Sequence, residues 1–183
     1  MIMKATGIVR KIDELGRIVV PKEIRRTLRI HEGDPMEIFV DHDGEIMLRK
    51  YSPINELGEF AEQYADALAK TTGHIIAITD KEQLIAVSGS GKKELTGREI
   101  SRELEDVIIE KESVVAGKED KNFVFIIRDK SIEFTSQIII PITSNGDAIG
   151  SVLILEKDPE VKLGETEIKL ADTAAVFLGK QME

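Results

Sequence analysis

The feature that most constrains this chain is a break at Tyr51-Ser52-Pro53, which sets about fifty residues apart from the 130 that follow. A segment of roughly fifty residues buries too little surface to be comfortably stable alone. The usual remedies are a disulfide, a structural metal or a partner. Cysteine is absent, which removes disulfides, thiolate metal sites and thiol catalysis together. His31, His42 and His74 sit at no metal-ligand spacing and read as polar surface or loop residues. What remains is self-association, so the first segment is expected to be an obligate dimer. The domain boundary is placed at 53, giving units 1–53 and 54–183.

The first unit reads as strand, turn, strand, short helix, strand, turn, strand. Gly7 to Ile12 is strand-like, Asp13-Glu14-Leu15-Gly16 is a turn, and the β-branched run Arg17-Ile18-Val19-Val20 stops at Pro21, which suits a first helical turn. Met36, Ile38 and Val40 alternate with Glu37, Phe39 and Asp41 as a half-buried strand requires. Asp43-Gly44 turns the chain into Ile46-Met47-Leu48.

The second unit reads as α+β, with helices at both ends of an antiparallel sheet. Leu57, Phe60, Ala61, Tyr64, Ala65 and Leu68 form an apolar stripe on a helix over 54–72. His74–Thr79 and Gln83–Ser88 form a hairpin. Thr96-Gly97-Arg98-Glu99 is read as a capping box before a helix burying Ile100, Leu104, Val107 and Ile108. Asn122–Arg128 and Gln137–Thr143 are read as strands, and Asn145-Gly146 turns into Ile149–Glu156. A closing helix over 164–182 aligns Ile168, Ala171, Ala175, Leu178 and Met182. The acidic group Glu103, Glu105, Asp106 and Glu110 reads as solvated charge.

Net charge is −9, yet residues 1–30 carry eight basic side chains against three acidic ones, a net of +5, so the remainder carries −14. A basic head on an acidic body points to a polyanion partner. After Pro21, Lys22, Arg25, Arg26 and Arg29 recur at i, i+3, i+4 and i+7, which on a continuous helix puts four cations on one side, with Ile24 and Leu28 opposite. Arginine suits bidentate contact with phosphate or guanine. Arg10, Lys11 and Arg17 flank the first turn, and a dimer would double the set into a two-fold face. The bland alternative is a solvated helix surface.

Ser88-Gly89-Ser90-Gly91-Lys92-Lys93 superficially resembles a phosphate-binding loop, but Ala86 stands where its first glycine belongs and Lys93 replaces the Ser/Thr. No nucleophile, base and orienting group come together, so neither catalysis nor a cofactor is expected. No stretch approaches bilayer length and no charged-then-apolar leader opens the chain, so a cytoplasmic, membrane-free protein is expected.

The run from Met3 to Leu28, MKATGIVRKIDELGRIVVPKEIRRTL, closely resembles the AbrB family of bacterial transition-state regulators. Ile30, Gly33-Asp34 and Glu37-Ile38-Phe39-Val40-Asp41 continue the likeness to about residue 51. The resemblance implies a swapped-hairpin β-barrel dimer that binds double-stranded DNA, with Arg10, Arg17, Arg25 and Arg26 as principal contacts. It extends, with less support, to Lys4, Lys11, Lys22 and Arg29 as phosphate partners. It also implies activation or repression of genes during endospore development, hence association with the nucleoid and the forespore. By element order the second unit resembles a GAF domain, a fold that often binds small molecules and often dimerises. A homotetramer and a ligand of unreadable class are the corresponding expectations. Three other readings stay open: an antitoxin, a ligand-sensing signalling module without a DNA role, and an enzyme acting through the second unit.

Overall fold

The computed structural model describes residues 6–52, 54 and 58–182. Met3, Lys4, Ala5, Pro53 and Leu57, used above, lie outside the described residues. The chain divides into two compact units, Met1–Tyr51 and Ser52–Glu183.

In the first unit, helix α1 spans Lys22–Thr27, and strands β1 (Met36–Val40) and β2 (Ile46–Lys50) form an antiparallel hairpin. Pro21 stands just before the helix as its N-cap; its carbonyl accepts the Arg25 N–H at 3.0 Å. The arms Gly7–Ile12 and Arg17–Val20, expected as strands, form no ladder among the described residues; Asp13 N–H to Arg17 O, 3.1 Å, and Gly16 N–H to Asp13 O, 3.0 Å, close their turn. A strand exists only with a hydrogen-bonding neighbour, and the described residues of this chain supply none to these arms.

Not one described residue of the first unit is buried. Register pairs Ile38 with Leu48 and Val40 with Ile46, which gathers four apolar side chains on one exposed face of the hairpin. The alternation read from the sequence is present, but its apolar face meets solvent in a single protomer: Val40 is 70% exposed.

The second unit is a five-stranded antiparallel sheet ordered β4-β3-β7-β6-β5. Its strands are β3 (Ile75–Thr79), β4 (Leu84–Ser88), β5 (Val114–Gly117), β6 (Ser136–Ser144) and β7 (Asp147–Glu156). Helices α2 (Gly58–Thr72) and α5 (Glu165–Lys180) bury Ala61, Ala65, Leu68, Ala171, Ala175 and Leu178 against Ile76, Ile138 and Ile154 on one sheet face. The short α3 (Lys92–Leu95) and α4 (Arg102–Glu110) cover the other, where Leu95, Leu104 and Ile108 meet Ala77, Ile139 and Leu153. Covered on both sides, β6 and β7 carry near-continuous apolar runs rather than alternation. Pro141 is tolerated in β6 because β5 pairs only as far as Ile139.

Several expectations are corrected. The α4 N-cap is Ser101, whose Oγ accepts the Leu104 N–H at 3.0 Å; Thr96 instead bonds back to Lys92. Ser101 can therefore do what the Thr96 box was expected to do, five residues later. Asn122–Arg128 runs between two turns and forms no strand beyond a bridge from Ile127 to Ile100, because its polar groups are taken elsewhere. Ser101 bonds the carbonyls of Phe125 and Ile126, and the Gln137 amide, its nitrogen turned toward Val124, donates to Val124 O at 2.8 Å and accepts from its N–H at 2.7 Å. Glu105 is buried, not solvated. His74 is no surface histidine: Nδ1 lies 2.8 Å from Glu156 Oε2 at the joined ends of β3 and β7. The Gly89–Gly91 segment is a tight corner, since a side chain at Gly89 would meet His74 O at 2.8 Å.

Candidate nucleic-acid interface

The basic face begins with α1. Its six residues place Lys22, Arg25 and Arg26 within one turn, at i, i+3 and i+4, where side chains share a face. Lys22 and Arg26 are exposed and Arg25 is half-buried. The run does not continue to Arg29 as periodicity suggested, since the helix ends at Thr27 and Arg29 adopts φ 50°. The Arg29 backbone serves the framework: its carbonyl accepts Lys50 Nζ at 2.5 Å, and Lys50 also lies 3.3 Å from Asp34 Oδ2. Asp34 receives the His31 N–H at 2.8 Å, so Asp34 and Lys50 brace the exit of α1 against the end of β2. That brace was missed in the sequence, where no local spacing links residues 16 apart.

Arg10 and Arg17 lie on the two arms of the Asp13 turn, and both are exposed, as is Lys11. Asp13 Oδ1 accepts the N–H groups of Leu15 (3.0 Å) and Arg17 (2.8 Å), and Oδ2 accepts Arg17 Nε at 2.8 Å. The Arg17 amide and then its guanidinium hold this carboxyl below its usual value. A charged Asp13 thus fixes Arg17 by one nitrogen and leaves the outer guanidinium edge for a bidentate partner. The same turn recurs at Asp41, whose Oδ1 accepts the N–H groups of Asp43 (3.0 Å) and Glu45 (2.9 Å). The Asp-x-x-Gly spacing, with Gly16 at φ 76° and Gly44 at φ 82°, was the available signal. Lys4 lies outside the described residues.

Within the described residues of this unit the candidate interface is a set of exposed and half-buried cations on a scaffold whose own apolar residues are uncovered. Such a surface can neutralise phosphates and present donors to base edges. No described helix is long and apolar enough to cross a membrane.

Two family models match the chain. Residues 56–183 match the family described as "Stage V sporulation protein T C-terminal, transcription factor". Residues 9–56 match "Antidote-toxin recognition MazE, bacterial antitoxin". Stage V sporulation protein T of Bacillus subtilis (strain 168) is 53% identical over 181 residues, 99% of each chain. Transition state regulatory protein AbrB of the same organism is 47% identical over 88 residues, 47% of this chain and 90% of the relative. A GAF domain from an Acinetobacter phosphoenolpyruvate-protein phosphotransferase superposes with TM-score 0.57 at 13% identity, covering 69% of this chain and 81% of that one, a likeness of fold alone. With an AbrB-type first unit, a GAF-like second unit and near full-length identity to one relative, the chain belongs to the stage V sporulation protein T family of transcription factors.

Proposed function

We propose that this protein regulates sporulation genes by gripping duplex DNA between two copies of its first unit, acting by binding and not by catalysis. Arg10, Arg17, Arg25 and Arg26 are the principal contacts; Lys4, Lys11, Lys22 and Arg29 add phosphate neutralisation. The carrying observation is the cluster Lys22, Arg25 and Arg26 on one helix face of a unit with no buried residue among those described. Cations held that close repel one another, and a polyanion relieves the repulsion.

The dimer follows from the same unit. Val9, Val19 and Val40 are each at least 70% exposed, and the arms beside the Asp13 turn have unpaired backbone. A second copy that interleaves its hairpins supplies both the missing ladder and the missing cover. In the second unit, Phe177 stacks on Phe60 (5.7 Å) and Tyr64 (5.4 Å) beside a half-exposed Val176, on the helix pair α2 and α5. Pairing through this face would join two DNA-binding dimers into a homotetramer, with the second unit as the regulatory, ligand-sensing and oligomerisation module. The site of action is the nucleoid of the forespore cytoplasm.

Fluorescence anisotropy on an AT-rich promoter fragment, across salt and against random competitor, tests the proposal. Retention should fall with salt at a log–log slope of about −0.9 per phosphate neutralised. No retention at low salt would sink it. The likeness of residues 9–56 to an antitoxin family keeps one other reading. Co-purification of a stoichiometric toxin, lost on deleting the second unit, would favour that reading instead.

A further inference from the structure

Between β5 and β6 the chain makes an excursion over 118–135 that carries neither helix nor ladder, and it surrounds a cleft of about 240 Å³. The cleft is braced open. Gln137 holds both backbone groups of Val124, Ser101 holds the Phe125 carbonyl, and the Gly117 N–H donates to Asp120 Oδ2 at 2.7 Å. A preformed apolar cleft with a few fixed polar groups is what a small-molecule site requires.

The lining fixes the chemistry. Its walls include Phe123, Phe125, Phe134 and Ile132, and its charged groups are Lys118, Asp120 and Glu133. Lys118 Nζ donates to Glu133 Oε2 at 2.6 Å; the hydrogen bond and charge attraction between them raise the lysine pKa and lower the glutamate's. That pair cancels itself and leaves the Asp120 carboxylate unbalanced in the lining. Phe123 and Phe125 meet edge to face at 6.1 Å, and the Phe123 N–H donates to the Asp120 backbone carbonyl at 3.1 Å, a turn that joins the two lining residues. The protein already uses this combination once nearby: the Lys130 ammonium lies 3.8 Å from the Phe125 ring centroid and 3.2 Å from Glu103 Oε1. Carboxylate plus aromatic face is a recognition unit for an organic cation.

We infer that this cleft binds a small primary amine with an aromatic or branched apolar body, its ammonium at Asp120 and its body against Phe123, Phe125 and Ile132. The inference rests on the reading of the second unit as a sensing module, and names the class of molecule sensed. An anionic ligand of the same shape would meet an uncompensated carboxylate and be rejected.

The test uses the full-length protein, isotope-labelled, titrated with phenethylammonium chloride and separately with phenylacetate. The expected result is saturable binding of the amine alone, with amide shifts confined to residues 117–134. Asp120→Asn keeps the acceptor for the Gly117 amide and removes the charge, so it should weaken the amine about tenfold or more. Equal binding of phenylacetate, shifts elsewhere, or no saturable amine binding would overturn the assignment, and these arms stand even if the variant folds poorly. DNA anisotropy on the same samples separates the two readings. Normal DNA retention with failed amine binding overturns the cleft alone; bound amine without DNA retention supports the cleft and overturns the regulator.

Discussion

Arg17 donates from Nε to Oδ2 of Asp13 at 2.8 Å while its own backbone N–H is held by Oδ1 of the same carboxylate. One acidic side chain in the basic head therefore builds the turn and aims an arginine of the proposed interface. Charge counting alone would enter Asp13 as a loss for DNA binding. The geometry makes it a positioning residue.

Asp13→Ala should weaken DNA binding despite making the head more basic, because Arg17 loses its fixed orientation and the turn loses two amide acceptors. Asp13→Asn, which retains an acceptor oxygen, should lose less. Anisotropy at fixed salt ranks the three proteins; tighter binding by the alanine variant would refute the positioning role. Because the folded pKa of Asp13 is depressed below 3.8, its favourable contribution is complete above that value. It disappears as pH falls through the lower folded value.

Arg25→Ala and Arg26→Ala should each reduce specific DNA affinity by about 1–3 kcal/mol if the side chain reads a base edge, with little change in melting temperature. Lys22→Ala should weaken all sequences alike and lower the salt slope by about one unit. Arg29→Ala keeps the backbone carbonyl that accepts Lys50 Nζ, so it should leave the Lys50–Asp34 brace intact and weaken all sequences alike, as Lys22→Ala does. Thermal melts beside DNA titrations check these cases, and an Arg29 variant that keeps full DNA affinity would contradict its phosphate role.

Ile38→Asp or Leu48→Lys should dissociate or unfold the first unit, because the two residues pair across the exposed apolar face of the hairpin. Phe177→Asp should leave that dimer intact and lower only the higher assembly. Light scattering distinguishes the two outcomes, and an unchanged mass for the Phe177 variant would remove the α2–α5 face from consideration.

Gly150→Ala should be among the most damaging single changes. A Cβ there would lie 1.9 Å from Thr79 O, in the β3–β7 ladder at the centre of the sheet. Gly179→Ala places a Cβ 2.2 Å from Thr143 O and should push α5 off β6. Each is expected to cost about 3 kcal/mol or more, at or above the usual range for overpacking, because backbone cannot step aside. Urea unfolding reads both, and a loss within experimental error at Gly150 would show that the sheet can slide.

Glu156 carries a pH dependence of stability. Burial by itself would raise its pKa, but the amides of Asp158 and Lys157 together with His74 outweigh burial and hold it below the usual glutamate value. Its stabilisation is therefore present above the ordinary glutamate pKa and is lost as pH falls through the depressed one. Glu156→Gln should flatten the acid limb of a plot of melting temperature against pH. An unchanged limb would place the acid sensitivity elsewhere.

The parts of this protein that could be read in order along the chain are those where local chemistry and tertiary context agree. β3, β4, β6 and β7 are long β-branched runs, and α5 has a sustained 3.6-residue period, so each could be recognised without neighbours. Val114–Gly117 was not recognised, because four residues with two glycine-or-alanine positions carry no pattern, and only pairing with β6 makes them a strand. Asn122–Arg128 failed in the opposite direction: its apolar run is strand-like, yet Ser101 and Gln137 capture the backbone groups a ladder needs.

For the interface, the sequence by itself determined the chemistry: the types and spacing of Lys22, Arg25 and Arg26 require only one turn of helix to share a face. Tertiary structure alone decided that Arg29 leaves that face, that Asp13 positions Arg17, and that the apolar pairs Ile38–Leu48 and Val40–Ile46 stand uncovered. The physical reason is range. Helical periodicity is written in residues three and four apart, whereas a brace such as Lys50 on Asp34, or an apolar face awaiting cover, depends on parts of the chain that meet only after folding.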